Sequence, residues 1–388
     1  MLNFDLSHEQ QLIYSYGDSL AREFDRKYWM ACAEKKAFPA EMYRKIAADG
    51  FLGLMVSERY GGSGLGMLEA ALFSEGMSNN GIPMLSLIVG ATMSMSPIDK
   101  FGTEAQKQRF LPDCCQGKIR FCFAITEPNA GTNTMAATTF AREQGGKFFL
   151  SGQKVFITDA GDSDYALVVT RTTPLAEARK KTDGFTLFIV DMKAPGISLQ
   201  YIPVSVQVPE KQWLVFFDNV ELSLDDVLGE VGRGFELLFD SLNPERILVA
   251  AMAVGLGRFA LGKAVTYANE RRLFNNVPIG AYQGLQHPLA IAKAEIEMAA
   301  LMTHKAAWAY DQGVPAGEFS NMAKYYAAEA ACHAVDAAIQ CFGGNGFTKE
   351  YGIFDLYPLV RLFRTGPINR EMLLNYVAEH VMGMPRSY

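Results

Sequence analysis

The sequence predicts an α+β protein in which an N-terminal α-helical domain and a C-terminal α-helical bundle flank a middle antiparallel β-barrel. Three observations predict it. Hydrophobic residues recur at helical spacing over residues 1–120, strand-like runs with turn signals fill 121–231, and helical spacing returns over 232–388. At about 150 residues per domain, 388 residues suggest two or three domains. A content of 49% hydrophobic and 20% charged residues suits a large core and excludes a disordered chain.

In the first domain Ser7 is an N-cap with Gln10 three residues on, and Leu12, Ile13, Tyr16 and Leu20 follow at helical spacing. Further amphipathic stretches run over 40–48, 67–77 and 104–114, with the glycine-rich loop 60–66 between them. The middle domain reads as strands at 121–125, 147–158, 165–172, 185–192, 197–204 and 213–222, punctuated by Gly145-Gly146, residues 159–164, Asp183-Gly184 and Pro195-Gly196. No helix separates these strands, which favours an antiparallel barrel or sandwich over a parallel βαβ sheet. After Gly234, helical stretches cover 235–268, 285–312 and 318–342.

Charge and composition narrow the function. With 36 Lys+Arg against 42 Asp+Glu, net −6, nothing predicts a grip on nucleic acid phosphates. The cysteines form no framework: Cys114 and Cys115 are adjacent, Cys32, Cys122, Cys332 and Cys341 are scattered, and no CxxC occurs. That pattern predicts a reduced compartment and no structural zinc, and the histidines (8, 287, 304, 333 and 380) form no ligand pair at helical spacing, so no metal is expected. The start, residues 1–8, lacks a basic region followed by an apolar core, and the apolar run 247–256 is too short to span a bilayer before Arg258. A cytoplasmic protein without membrane attachment is expected.

Two runs carry chemistry. Phe123-Ala124-Ile125-Thr126-Glu127-Pro128-Asn129-Ala130-Gly131-Thr132-Asn133 leaves a strand for a turn of small residues, whose backbone N–H groups and hydroxyls suit the polar edge of a flat cofactor. Alone, it is a strand-to-turn segment like many others. Gly152-Gln153-Lys154-Val155-Phe156-Ile157-Thr158-Asp159 lies on a neighbouring strand. Together they resemble the paired TEPxAGS and GxKxWIT segments of the acyl-CoA dehydrogenase family of flavoproteins. The resemblance covers the whole chain: Gly102-Thr103, Gln106-Lys107 and Leu111-Pro112 match the lead-in to the barrel, residues 217–220, 227–229 and 232–235 match its exit, and 340–347 match a late glycine motif.

The resemblance implies FAD. By position, the main chain near Phe123 and Ile125 and the hydroxyl of Thr126 approach the isoalloxazine edge, Gly131 is a further cofactor contact, and Thr132 takes the place of a Ser that bonds the pyrophosphate. Phe156 stands where the family usually has Trp against the flavin face, and Thr158 bonds near flavin N5. From a neighbouring subunit, Arg271 ahead of Phe274 neutralises the pyrophosphate through its planar fork. Gln283, and Gln340 with Gly343 and Gly344, match groups near adenosine and pyrophosphate. Without that resemblance Arg271, between Glu270 and Arg272, reads as a solvated helix-end arginine. The usual Phe-Gly-x-Pro-Ile is altered to Phe274-Asn275-Asn276-Val277-Pro278-Ile279. The family's two-sided FAD site implies a homo-oligomer, a tetramer built as a dimer of dimers as in most relatives.

The implied reaction removes the α-proton of an acyl-CoA thioester while hydride leaves Cβ, so it needs a desolvated carboxylate and a donor to the thioester oxygen. Most relatives carry a Tyr-Glu-Gly-Thr segment near the C-terminus. Here residues 364–373 read Arg-Thr-Gly-Pro-Ile-Asn-Arg-Glu-Met-Leu, placing Pro367, Gly366 or Thr365 at the usual base. None accepts a proton. Glu245-Arg246, early in the apolar C-terminal helix, resembles the Glu-Arg pair of isovaleryl- and long-chain-type relatives. Glu245 is therefore the expected base, with Glu371 the runner-up. Arg246 is expected to hold local structure or shape the entrance electrostatics. Thr132, Arg246 and Gly366 are the expected substrate contacts. Pro367 has no N–H, so Gly366 or Ile368 supplies the donor. Leu85, Ile88 and Val89 border an acyl pocket or are simply core, and 204–211 departs from the family's GxRxS-like stretch.

Three readings follow: an acyl-CoA dehydrogenase passing electrons to an electron-transfer flavoprotein, a flavin oxidase or monooxygenase of the same fold on a non-CoA substrate, and a flavin-retaining scaffold with a disabled site.

Overall fold

The computed structural model describes residues 5–387, apart from the side chains of Phe239 and Asp240; Met1–Phe4, within the stretch read for a leader, and Tyr388 lie outside them. The described residues form the helices α1 (His8–Lys35), α2 (Ala40–Ala48), α3 (Met67–Ser78), α4 (Ser96–Phe101) and α5 (Glu104–Cys115). The strands β1 (Phe121–Ala124), β2 (Phe140–Gln144), β3 (Lys147–Thr158), β4 (Tyr165–Arg171), β5 (Phe185–Asp191), β6 (Ile197–Ile202), β7 (Gln212–Leu222) and β8 (Val227–Leu228) follow. Last come α6 (Gly234–Glu270), α7 (Gln283–Asp311), α8 (Gly317–Phe342), α9 (Tyr357–Phe363) and α10 (Arg370–Tyr376).

Local chemistry sets the helix starts. Ser7 Oγ accepts from Gln10 N at 3.1 Å while Gln10 Oε1 accepts from Ser7 N at 3.0 Å, the reciprocal cap expected. Thr103 and Gln106 cap α5 the same way, and Gln106 Nε2 also reaches the carbonyls of Asp225 and Val227 at 2.8 and 2.9 Å. That side chain ties the first helical domain to the end of the sheet.

The sheet order is β6-β7-β3-β2-β4-β5-β8, with β1 on β4. Alternation along the strands sorts two cores. Phe121, Phe123, Leu167, Val169, Leu187 and Ile189 face the helices, whereas Cys122, Ala124, Ala166, Val168, Phe188 and Val190 face an interior of the sheet's own. Residues of β7 (Val215, Phe217) and β8 (Val227), from distant places in the order, share that interior, so the sheet curls on itself as a barrel. The pairing is antiparallel except at β4, which β1 joins in parallel and β2 touches through one parallel bridge. The β2–β3 hairpin reverses the chain between them, so β4 returns in the direction of β1. The sequence had not marked β2 or β8: one is polar along most of its length and the other is two residues long.

Further elements exceed the sequence reading: α4, α9, α10, and a π-helical segment, Ile88–Met95, wedged between α6, α4 and β1. By length and composition α6 is apolar enough to cross a membrane, yet its successive residues from Ile247 to Leu256 are buried on every face. It is the core helix of this fold.

Candidate active site

The two motif segments are stitched together by a buried charge. Lys154 Nζ donates to Ile125 O at 2.8 Å and to Glu127 Oε1 at 2.9 Å, with both side chains buried. Glu127 also accepts from Thr138 N (2.6 Å), Thr138 Oγ1 (2.9 Å) and Thr139 N (3.0 Å). Burial would raise the Glu127 carboxyl, but Lys154 and the threonine donors carry it down to about 2. Burial draws the Lys154 ammonium down to about 8 against the pull of Glu127. With its lone pairs this fully engaged, the pair is ionised at neutral pH. Sequence reasoning quoted both residues in their motifs and missed that they meet.

Anchored this way, the strand opens. The register of β3 on β7 shifts between Lys154 and Ile157, and Val155 N donates instead to Thr126 O at 2.9 Å. Phe156 takes φ 57°, in the left-handed region, and the residue is 58% exposed. That conformation costs a phenylalanine on the order of 1 kcal/mol and leaves an aromatic face uncovered beside Thr126. Thr158 Oγ1 shares hydrogen bonds with the Gln212 amide at 3.1 and 3.3 Å. Gly131 and Thr132 lie exposed on the adjoining turn, Phe123 is buried, and Ile125 is half-buried. Asn369 Nδ2 donates to Thr132 Oγ1 at 2.8 Å, bringing the loop between α9 and α10 onto that turn.

Among the described residues five buried carboxyls are candidates for a base: Glu75, Glu127, Asp159, Glu210 and Glu245. Glu75 is bonded to Arg258 and to His304, the latter at 2.8 Å, and Glu127 to Lys154. Asp159 accepts from Lys211 N (3.1 Å) and Glu210 from Ser86 N (3.2 Å), and burial raises both of these carboxyls. Glu245 alone makes no hydrogen bond among the described residues. It is 5% exposed, and burial raises it to about 8 against the opposing pull of Arg246 and Lys324. The runner-up, Glu371, is exposed and pairs with Arg370 Nε at 2.8 Å, which holds its carboxyl below the ordinary value.

Arg246 is buried and donates through Nη1 to Asn243 Oδ1 at 2.9 Å, which also accepts from Ser320 Oγ at 3.1 Å. A buried guanidinium fixed on α6 holds local structure; the expected role in entrance electrostatics does not fit it. The N–H of Gly366 is taken by Leu362 O at 2.8 Å, whereas that of Ile368 has no partner among the described residues. Leu85 and Val89 are half-buried and Ile88 buried at the π-helical segment, packed against the core.

The expected second-subunit contacts sit apart from these groups in sequence and all face outward: Arg271, Phe274 (79% exposed), Gln283, Gln340, Gly343 and Gly344. Arg271 closes α6, with its N–H on Tyr267 O. An uncovered aromatic ring, free backbone donors and an arginine fork are a donor set suited to a flavin with a diphosphate.

Family models described as acyl-CoA dehydrogenase N-terminal, middle and C-terminal domains match residues 7–118, 122–220 and 232–382. The chain is 44% identical over 388 residues to the acyl-CoA dehydrogenase FadE12 of Mycobacterium tuberculosis, covering 100% of this chain and 99% of that protein. Among solved structures, butyryl-CoA dehydrogenase from Megasphaera elsdenii superposes with a TM-score of 0.93 at 28% identity, over 98% of this chain and 100% of that one. PigA with FAD and proline superposes with a TM-score of 0.93 at 26% identity, over 98% and 99%.

Proposed function

The chain belongs to the acyl-CoA dehydrogenase family, and from that premise we propose that it oxidises an acyl-CoA thioester to the 2-enoyl-CoA with Glu245 as the base. It is an FAD-dependent oxidoreductase. The observation that carries the base assignment is the unbonded, buried carboxyl of Glu245: its lone pairs are uncommitted, and desolvation makes it avid for a proton.

In the proposed reaction Glu245 takes the proton from Cα, with Arg246 and Lys324 favouring its carboxylate form beforehand. The Ile368 N–H, rather than that of Gly366, donates to the thioester oxygen and acidifies that proton. The chemistry that a bound FAD would supply is that of a hydride acceptor for Cβ. Phe156 supports the flavin face, Thr126 and Thr158 address its edge, and Thr132 reaches toward the pyrophosphate and the substrate from a turn steadied by Asn369. Arg271, Phe274, Gln283, Gln340, Gly343 and Gly344 hold the FAD of a neighbouring subunit, and an electron-transfer flavoprotein takes the electrons onward.

Phe156→Ala is expected to bind FAD about 2–13-fold more weakly, because an aromatic stacking partner contributes roughly 0.5–1.5 kcal/mol; an unchanged FAD dissociation constant by titration overturns the placement of Phe156. The acyl-CoA test is direct: anaerobic bleaching of the oxidised flavin band by any of a panel of short, branched, long and aromatic acyl-CoAs supports the dehydrogenase. A flavin that no acyl-CoA bleaches, and that reacts with oxygen once reduced, favours instead an oxidase or monooxygenase on a non-CoA substrate.

The proposed homotetramer has a surface to match. On α7, Ile291, Met298, Leu301 and Trp308 are each at least half exposed at spacings that keep them on one face. Leu301→Glu combined with Trp308→Glu is expected to yield smaller species in sedimentation that lose flavin, since each site needs two subunits. A double variant that stays a flavin-loaded tetramer rules this face out.

A further inference from the structure

We propose that Lys324 is a positioning residue of the reaction: from α8 it ties the 366–369 loop down through the Ile368 carbonyl and, by its charge, holds Glu245 in the form that accepts a proton. The inference rests on Glu245 being the base.

Lys324 is 1% exposed, and its ammonium donates to Ile368 O. The Ser320–Asn243 hydrogen bond sets α8 against α6, and Lys324, one turn beyond Ser320, lies on the same face of α8. Among the described residues it makes no ion pair within 4.0 Å. The charges that act on it are Glu245 and Arg246 of α6 and Glu371 of α10. Tyr376, also on α10, acts on Arg246. The other charges around the loop are matched elsewhere: Arg364 and Arg370 meet Glu329 at 2.7 and 3.5 Å, and Arg370 also meets Glu371.

A buried ammonium whose one bonded acceptor is a neutral carbonyl is costly to keep. Two features give it a purpose. It offsets the burial of an unbonded carboxyl on the facing helix, and it fixes the residue whose own N–H is uncommitted. Ile368 is held by its carbonyl on Lys324, and the next residue is held by its side chain on Thr132. The base and the free amide are thereby referred to one point on α8. Burial lowers the Lys324 ammonium to about 7 against the pull of Glu245, so its charge is fully present only in the acid part of the neutral range; the proton transferred in the reaction goes from Cα to Glu245.

The test follows anaerobic flavin bleaching by stopped flow from about pH 6 to about pH 10, using whichever of butyryl-, isobutyryl-, palmitoyl- and 3-phenylpropionyl-CoA reduces the wild type fastest. Lys324→Met is expected to lower the rate about tenfold at the acid foot of the alkaline-rising limb, where the ammonium is charged, and little above about pH 8, so that the limb starts at higher pH with little change in KM. Lys324→Gln can still donate to Ile368 O but carries no charge. It should move the limb as far while keeping more of the plateau rate, and it decides the matter if the Met variant does not fold. Lys324→Arg should bring the limb back. An unmoved limb in both neutral variants makes Lys324 merely structural and overturns the proposal, provided Glu245→Gln is inactive. An active Glu245→Gln instead overturns the base, and this inference with it.

Discussion

Glu245→Gln is expected to slow flavin reduction by every reactive acyl-CoA by about 10³–10⁴-fold while the protein keeps its FAD and melts at a higher temperature. Glutamine copies the shape of the side chain and cannot accept the proton, so the loss falls on the chemical step. The gain in stability follows from burial. The carboxyl stands at about 8 in the folded chain against an ordinary 4.5, and a raised folded pKa means stability that is complete below the unfolded value and is lost as pH rises through the folded one. At pH 7 the cost is on the order of 3 kcal/mol, which the neutral amide avoids. The melting-temperature difference between variant and wild type should therefore grow from about pH 5 to about pH 8. The wild-type reduction rate should climb over the upper part of that window as Glu245 deprotonates. Near-wild-type bleaching by the Gln variant would remove Glu245 from the mechanism. Unchanged stability at both pH values would show that its carboxyl is less desolvated than its 5% exposure implies.

Lys154→Met is expected to destabilise the protein by about 3–5 kcal/mol and to yield it largely free of flavin. The variant leaves the Glu127 carboxylate buried without its cation, and it frees Ile125 O in the segment that meets the cofactor. A second change, Glu127→Gln, removes the orphaned charge and should recover part of the stability but little of the flavin, since Ile125 stays untethered. Chemical denaturation and the ratio of flavin to protein absorbance read the two effects separately. Glu127 also sets an acid limit. Its carboxyl is depressed to about 2 from 4.5, so its contribution is present above the unfolded value and is lost as pH falls through that interval. A Lys154→Met protein with full flavin and an unshifted denaturation midpoint would contradict the stitching role.

Much of the molecule was legible locally. The Ser7 and Thr103 caps, the helical periods and the alternation in 121–222 report which faces are buried, and burial is what periodicity encodes. The motif at 123–133, its partner at 152–159 and the Glu245-Arg246 pair were readable because their residue types and order are distinctive. Polar or very short elements such as β2 and β8 carry no such pattern, and the parallel pairing of β1 on β4 is a consequence of where the intervening hairpin sends the chain.

By itself, then, the sequence determined the order of helical and strand domains, the family resemblance and one carboxyl worth singling out. Only the tertiary structure decided which distant side chains meet. Lys154 and Glu127 are 27 residues apart, Lys324 and Ile368 are 44, and Thr132 and Asn369 are 237. Residue spacing within one element is set by its own period. Contacts across such separations depend on how distant elements pack, and the same packing decided that Gly366 spends its N–H within its own turn while Ile368 keeps its own uncommitted.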